Sequence, residues 1–362
     1  MSGPWVAVRF GMGWLMAALL LAAGCAPTTD RTARLEGIGT ARAAPDPKPV
    51  PHFAGDLFIA ADGVALPLRK WLPKAGGRVD AVVLALHGFN DYDNAFAGSG
   101  EGWARDGIAT YAYDQRGFGR AAGRGRWPGR SVLAADAAAA AVVLRRLYPK
   151  VPLYLLGESM GGAVAVVAMT GESGTPIPDV DGVILVAPAV WGGATMGFLP
   201  RAALWLGVRL MPELTLTGRG LHIMASDNIA MLRAYSRDPL VIKKTRIDTI
   251  YGLVELMDTA VAAAPKLRAP LLVMSGKEDQ IVPRAATRRF LEALPIDPGD
   301  RRSLAVYPHG YHMLLRDLDG PVVIADAAGW MLDPGAPLLS GADRGGAEAL
   351  LDGTGDAGFG GG

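Results

Sequence analysis

Leu153 to Met169 reads LYLLGESMGGAVAVVAM: an apolar run, one serine held between glycines, then a second run of small apolar residues. The first run suits a buried strand, and the Ala- and Val-rich run after Ser159 suits the start of a helix. Ser159 therefore sits at a sharp strand-to-helix turn of the form G-x-S-x-G. Such a turn strains the serine backbone and pushes its hydroxyl out above the sheet. Gly157 and Gly161 are small because side chains there would collide across the turn. The helix N-terminus supplies free N–H groups and a positive dipole end for a developing oxyanion. With 48 glycines in 362 residues the five-residue pattern alone is weak. Its flanks give it meaning.

Further strand-like runs surround this one: AVVLALHGF from Ala81, TYAYD from Thr110, GVILVAPAV from Gly182, PLLVMSG from Pro270 and SLAVYPHG from Ser303. Several are continuously hydrophobic, as in parallel strands covered on both faces. Stretches such as Val132–Tyr148 have helical composition and length. Strand and helix alternating in this way predict a doubly wound α/β sheet over 53–190 and 265–333. LFIAADGVALPLRKWLP, from Leu57, predicts a hairpin turning at Asp62-Gly63. Residues 191–264 break the rhythm. Roughly 70 mostly helical residues are too many for a simple connection and predict an inserted cap.

Composition narrows the function. Half the residues are hydrophobic, and 36 basic residues balance 35 acidic ones, so a large core is accessible. No basic, aromatic-rich stretch invites nucleic acid. One cysteine and five histidines, with no H-E-x-x-H pair, give no metal or disulfide signal, and no cofactor is called for. Arg9 precedes about fourteen apolar residues, Phe10 to Ala23, which span only ~21 Å as a helix against a ~30 Å hydrocarbon core. A signal peptide over 1–25 fits better than a membrane span. Residues 26–52, with PDPKPVP, read as a tether, and the Gly-rich 334–362 reads as a disordered tail.

A serine hydroxyl needs a base, itself oriented by a carboxylate. GKEDQIVP after one late strand offers Glu278 and Asp279; HGYHMLL after the last offers His309 and His312. The order Ser, acid, His suits this architecture. His52 and His222 carry no assigned role.

HGFNDY, DQRGFGR, GESMGG, GKEDQIVP and HGYHMLL, in this order, resemble the α/β-hydrolase superfamily, in its monoacylglycerol lipase, lysophospholipase and serine-aminopeptidase-like branch. The resemblance runs from about Leu57 to Leu332. It implies Ser159 as nucleophile, Asp279 as acid and His312 as base, with the N–H groups of Phe89 and Met160 as oxyanion hole. Asp114, Arg116 and Gly117 would fix the DQRG loop, and His87 would orient a loop rather than act as a base. Phe118 stands where the family usually has histidine. LAAGC, Leu21 to Cys25, likewise resembles the lipobox of bacterial lipoproteins, although Ala22 sits where leucine is usual. It implies an exported, membrane-attached protein of the bacterial cell envelope, lipidated at Cys25. The expectation is a cofactor-free serine hydrolase acting on a monoacylglycerol or lysophospholipid. Trp191, Phe198, Trp205 and Met211, beside Arg201 and Arg209, would line an acyl tunnel or rest on lipid. A short-chain carboxylesterase or aminopeptidase would use the same triad. A non-catalytic anchored binding protein is disfavoured, because every triad position is filled.

Overall fold

The computed structural model describes residues 49–193, 196–218, 223–295 and 302–345; Cys25 and His222 lie outside them. β1 (His52–Ala54), β2 (Leu57–Ile59) and β3 (Ala65–Trp71) form an antiparallel ribbon, and Gly63 takes φ +84° in the hairpin turn. Next come β4 (Ala81–Leu86), α1 (Ala97–Arg105), β5 (Ile108–Tyr113), α2 (Arg130–Leu147), β6 (Leu153–Glu158), α3 (Met160–Met169) and β7 (Gly182–Val186). An insert follows: α4 (Phe198–Leu210), β8 (Thr215–Leu216), α5 (Ile229–Arg237), β9 (Thr245–Arg246) and α6 (Ile247–Ala263). The chain then returns through β10 (Leu271–Gly276), α7 (Arg284–Ala293), β11 (Arg302–Tyr307) and α8 (Gly320–Leu332).

The main sheet runs β1-β2-β3-β5-β4-β6-β7-β10-β11, parallel from β5 to β11, with β3 antiparallel to β5. Every residue of β4 and β6 is buried, which explains their continuous apolar runs. Within β4 the strand period divides the side chains. Val82, Leu84 and Leu86 join the layer of α2, α3, α6 and α7, while Ala81, Val83 and Ala85 join the layer of α1 and α8. Each fully buried Val or Leu contributes about 1.5–3 kcal/mol. From β4 the chain moves to β5 on one side and later places β6 on the other. The carboxyl ends of β4 and β6 therefore flank the point where strand order reverses, the usual place for a site in such sheets.

Two boundaries differ from expectation. α6, counted within the predicted cap over 191–264, buries Leu256, Met257, Ala260 and Ala263 in the core layer it shares with α3. The segment outside the helix layers ends near Arg246, because an apolar helix reads the same in a cap as in a core. The predicted disordered tail also begins too early. Leu338 is buried, Ser340 donates through N–H and Oγ to Asp326 at 3.0 and 2.5 Å, and Ala342 O accepts the Val306 N–H at 3.0 Å. The buried Asp326 carboxylate needs donors, and this stretch supplies them. Among the described residues no helix is long and apolar enough to cross a membrane.

A Cβ at Gly161 would overlap the Leu86 carbonyl, and one at Gly157 would overlap the Gly161 carbonyl. Gly161→Ala should lose about 3 kcal/mol of stability, read from the urea midpoint, because rigid backbone must move.

Candidate active site

Ser159 sits between β6 and α3 at φ 53° and ψ −116°, a left-handed conformation that a residue with a Cβ adopts only under constraint. The constraint is visible. Its N–H donates to Val186 O at 2.9 Å, and its carbonyl accepts from Gly162 and Ala189, each at 2.9 Å. Met160 is the first residue of α3, so its N–H has no partner within the helix.

His312 Nε2 lies 2.9 Å from Ser159 Oγ, and Nδ1 lies 2.9 Å from Asp279 Oδ2. The other Asp279 oxygen accepts the N–H groups of Ile281 and Val282 at 2.7 and 3.0 Å, which fixes the carboxylate plane. Acid and base loops approach closely because neither carries a Cβ at the crossing: one at Gly276 would overlap the Gly310 carbonyl. The Glu278 N–H donates to Gly310 O at 2.9 Å across the same gap. Asp279 thus faces the imidazole, while the exposed His309 lines a surface cavity of about 410 Å³ with Tyr307, Asp319 and Arg344. Burial works to lower the His312 pKa, but the charge and hydrogen bond of Asp279 prevail and raise it above the ordinary 6.5. For Asp279, burial works upward, and the facing His312 together with the two N–H donors holds the carboxyl below its usual range.

His87 shows the opposite balance. It is fully buried; Nε2 accepts the Gln115 N–H at 2.9 Å and Nδ1 faces Gly88 O at 2.8 Å, so Nδ1 carries the proton. Burial depresses its pKa and keeps it neutral. Phe118 packs edge-on against both His87 and Phe89, with ring centroids 5.7 Å apart in each pair. The phenyl ring that departs from the family pattern thus supports the turn bearing Phe89. Among the described residues no group in the chain accepts the Phe89 N–H. The next residues latch this loop to the insert: Asn90 Nδ2 donates to Thr245 Oγ1 at 2.8 Å, Asn90 O accepts from Ile242 at 2.9 Å, and the Tyr92 hydroxyl donates to Asp238 at 2.6 Å. In the DQRG loop, Arg116 pairs with Asp62 and Asp136 at 2.7 and 2.6 Å, and Asp114 accepts from the N–H groups of Asp93 and Arg120 at 3.0 and 2.8 Å. These contacts hold a loop in place. They reach no reacting atom.

Of the candidate insert residues, Trp191 is half-buried against the main core, whereas Phe198, Trp205 and Met211 are 81%, 51% and 53% exposed. Sequence reasoning missed a buried cluster beside the nucleophile: Glu158, Asp91 and Arg316, joined at 2.8 and 3.3 Å. The only signal was a carboxylate inside an otherwise apolar strand end, LYLLGE.

A mostly parallel sheet, a strained serine at its switch point and a serine–histidine–aspartate relay drawn from three strand ends define an α/β-hydrolase. Residues 77–319 match the family model described as serine aminopeptidase, S33, and the chain belongs to that family. The monoglyceride lipase of Rattus norvegicus is 26% identical over 276 residues, spanning 75% of this chain and 88% of its own. The monoacylglycerol lipase of Mycolicibacterium smegmatis is 26% identical over 280 residues, spanning 76% and 95%. Among solved structures, the Paleococcus ferrophilus monoacylglycerol lipase superposes with a TM-score of 0.60 at 20% identity, over 75% of this chain and 99% of that one.

If His312 is the base, it must be neutral to accept a proton, so its raised pKa places the acid limb of kcat/KM at higher pH than a free imidazole would. Asp279→Asn should lower kcat by about 10⁴-fold. It should also move what remains of that limb to lower pH; a pH–rate profile checks both.

Proposed function

We propose that this chain hydrolyses carboxylic esters of single-chain lipids, a monoacylglycerol or lysophospholipid, through a covalent acyl-enzyme. One observation carries the reading: Ser159 Oγ, His312 and Asp279 form a continuous relay with both links at 2.9 Å. His312 Nε2 takes the hydroxyl proton as Ser159 Oγ attacks the ester carbonyl. The N–H groups of Phe89 and Met160 receive the oxyanion, and a pair of such donors is worth several kcal/mol in the transition state. The tetrahedral species collapses, breaking the C–O bond, and His312 returns its proton to the departing alcohol. Water, deprotonated by His312 in turn, then attacks the acyl carbonyl; the acyl–serine bond breaks, His312 returns the proton to Ser159 Oγ, and the acid is released.

The similarity to monoacylglycerol lipases supports a lipid-like substrate. So does the insert. α4 buries none of its residues and exposes Phe198, Leu199, Trp205, Leu206 and Leu210, followed by Met211. Arg209 lies over the Trp205 ring at 3.7 Å. An apolar helix with aromatic and arginine side chains suits a lipid interface. On this reading the protein is exported and tethered by a lipid on Cys25 to the bacterial envelope, with α4 facing the membrane that supplies the substrate.

Ser159→Ala should abolish labelling by a fluorophosphonate and all ester hydrolysis. A panel of monoacylglycerols, lysophosphatidylcholine, short nitrophenyl esters and aminoacyl amides should favour the long-chain esters. Preference for amides or short esters would overturn the lipid assignment. Phe198→Ser with Trp205→Ser should lower the rate on substrate in vesicles by about tenfold while sparing a short soluble ester. Cys25→Ser should move the protein from the membrane to the soluble fraction.

A further inference from the structure

We propose that Arg316 is a positioning residue for this hydrolysis, clamping the loop of His312 to the nucleophile turn, the oxyanion loop and the insert at once. The inference rests on the roles given above to Ser159 and His312. Arg316 closes the 3-10 turn Leu314–Arg316, four residues past the imidazole. Its guanidinium Nη1 lies 2.8 Å from Asp91 Oδ2, on the loop that follows Phe89. Nη2 reaches both oxygens of Glu158 at 3.3 Å, the residue before Ser159. The same group lies 5.6 Å from the ring centroid of Tyr235 in α5. Around it, the loop is tied to the insert by Met313 N–H to Ala225 O at 2.9 Å and Asn228 Nδ2 to Arg316 O at 3.1 Å. A planar fork of five donors can hold two carboxylates in fixed directions at once.

Stability alone is a poor reason for such a cluster. The side chains of Arg316, Asp91 and Glu158 are 15%, 4% and 2% exposed. Burying ions costs several kcal/mol each, and well-packed apolar substitutes are often no less stable. What apolar residues cannot do is fix directions among the ends of β4, β6 and β11, where the oxyanion donor, nucleophile and base arise. The cluster also sets charge. His312 is faced by Asp279 and Glu158, which favour its protonated form, by Arg316, which opposes it, and by the Ser159 hydroxyl. Asp317, on its own loop, also feels the imidazole. Arg316 in turn is faced by Asp91, Glu158 and Tyr235, and its field reaches His87.

Arg316→Met, Arg316→Lys and Glu158→Gln, made in the full chain, test the assignment through kcat and KM per site titrated by fluorophosphonate, with a pH profile for each. Arg316→Met should lower kcat about 10²-fold, the penalty of a misaligned constellation, with little change in KM. Its acid limb should move to higher pH, because the Arg316 charge that opposes protonation of His312 is gone. Glu158→Gln should move the limb to lower pH, and Arg316→Lys should recover part of kcat and of the limb. An activity loss that merely follows the fraction of titratable sites, with kcat per site and the limb as in the parent, overturns the proposal. If Arg316→Met does not fold, parental kcat and limbs in both remaining variants overturn it equally. A parent enzyme that neither takes up the probe nor cleaves esters overturns the hydrolase reading instead.

Discussion

The backbone of Ser159 is the constraint on which the other features of the site depend. At φ 53° it holds a residue with a Cβ where glycine would be at ease, and it does so between a fully buried strand and a fully buried helix. Relaxing the turn would require β6 to shift against β4 or α3 to rise off the sheet. At Gly157 and Gly161 these segments meet backbone to backbone, with no room for a Cβ. The hydroxyl is therefore held in one place, where it meets His312 Nε2 at 2.9 Å.

Strain of this kind is gathered in one region. Asn90, Ser159 and Ala187 are the described non-glycine residues with positive φ, and they follow β4, β6 and β7 respectively. Electrostatics is gathered there too. His87 and His312 are both buried, yet they are driven in opposite directions. His87 meets a carbonyl and an N–H, so desolvation prevails and it stays neutral. His312 meets the Asp279 carboxylate, which outweighs the same desolvation and prepares the ring to hold a proton. Partner, rather than depth, decides what each histidine can do.

Apart from the choice of Asp279 and His312, which only the family resemblance singles out from Glu278 and His309, the features legible in the sequence are periodic and local: strands, the hairpin at Gly63 and the serine turn. Each depends on residues near one another or on a spacing that the fold class fixes. The long-range features are not legible. Arg316 lies 158 residues from Glu158 and far from Asp91, and nothing in RDLDG announces the carboxylates it meets. The sequence of α6 fits a cap as well as a core layer, because an apolar helix does not reveal which surface it covers. Composition alone predicts disorder from Pro334 on, whereas within residues 334–345 Ser340 is held by Asp326, a buried acceptor in α8. Phe118 departs from the family pattern, and only the ring geometry shows that it supports the turn of His87 and Phe89.

The two halves of the insert are anchored very differently. From Ala225 to Thr245 it is bonded to the histidine loop and to the loop of Phe89, so its position and the geometry of the reacting groups are set together. α4 has no buried residue and leaves aromatic and aliphatic side chains in water, an arrangement that costs free energy until something apolar covers it. Holding the second half firmly keeps the relay independent of whatever covers α4.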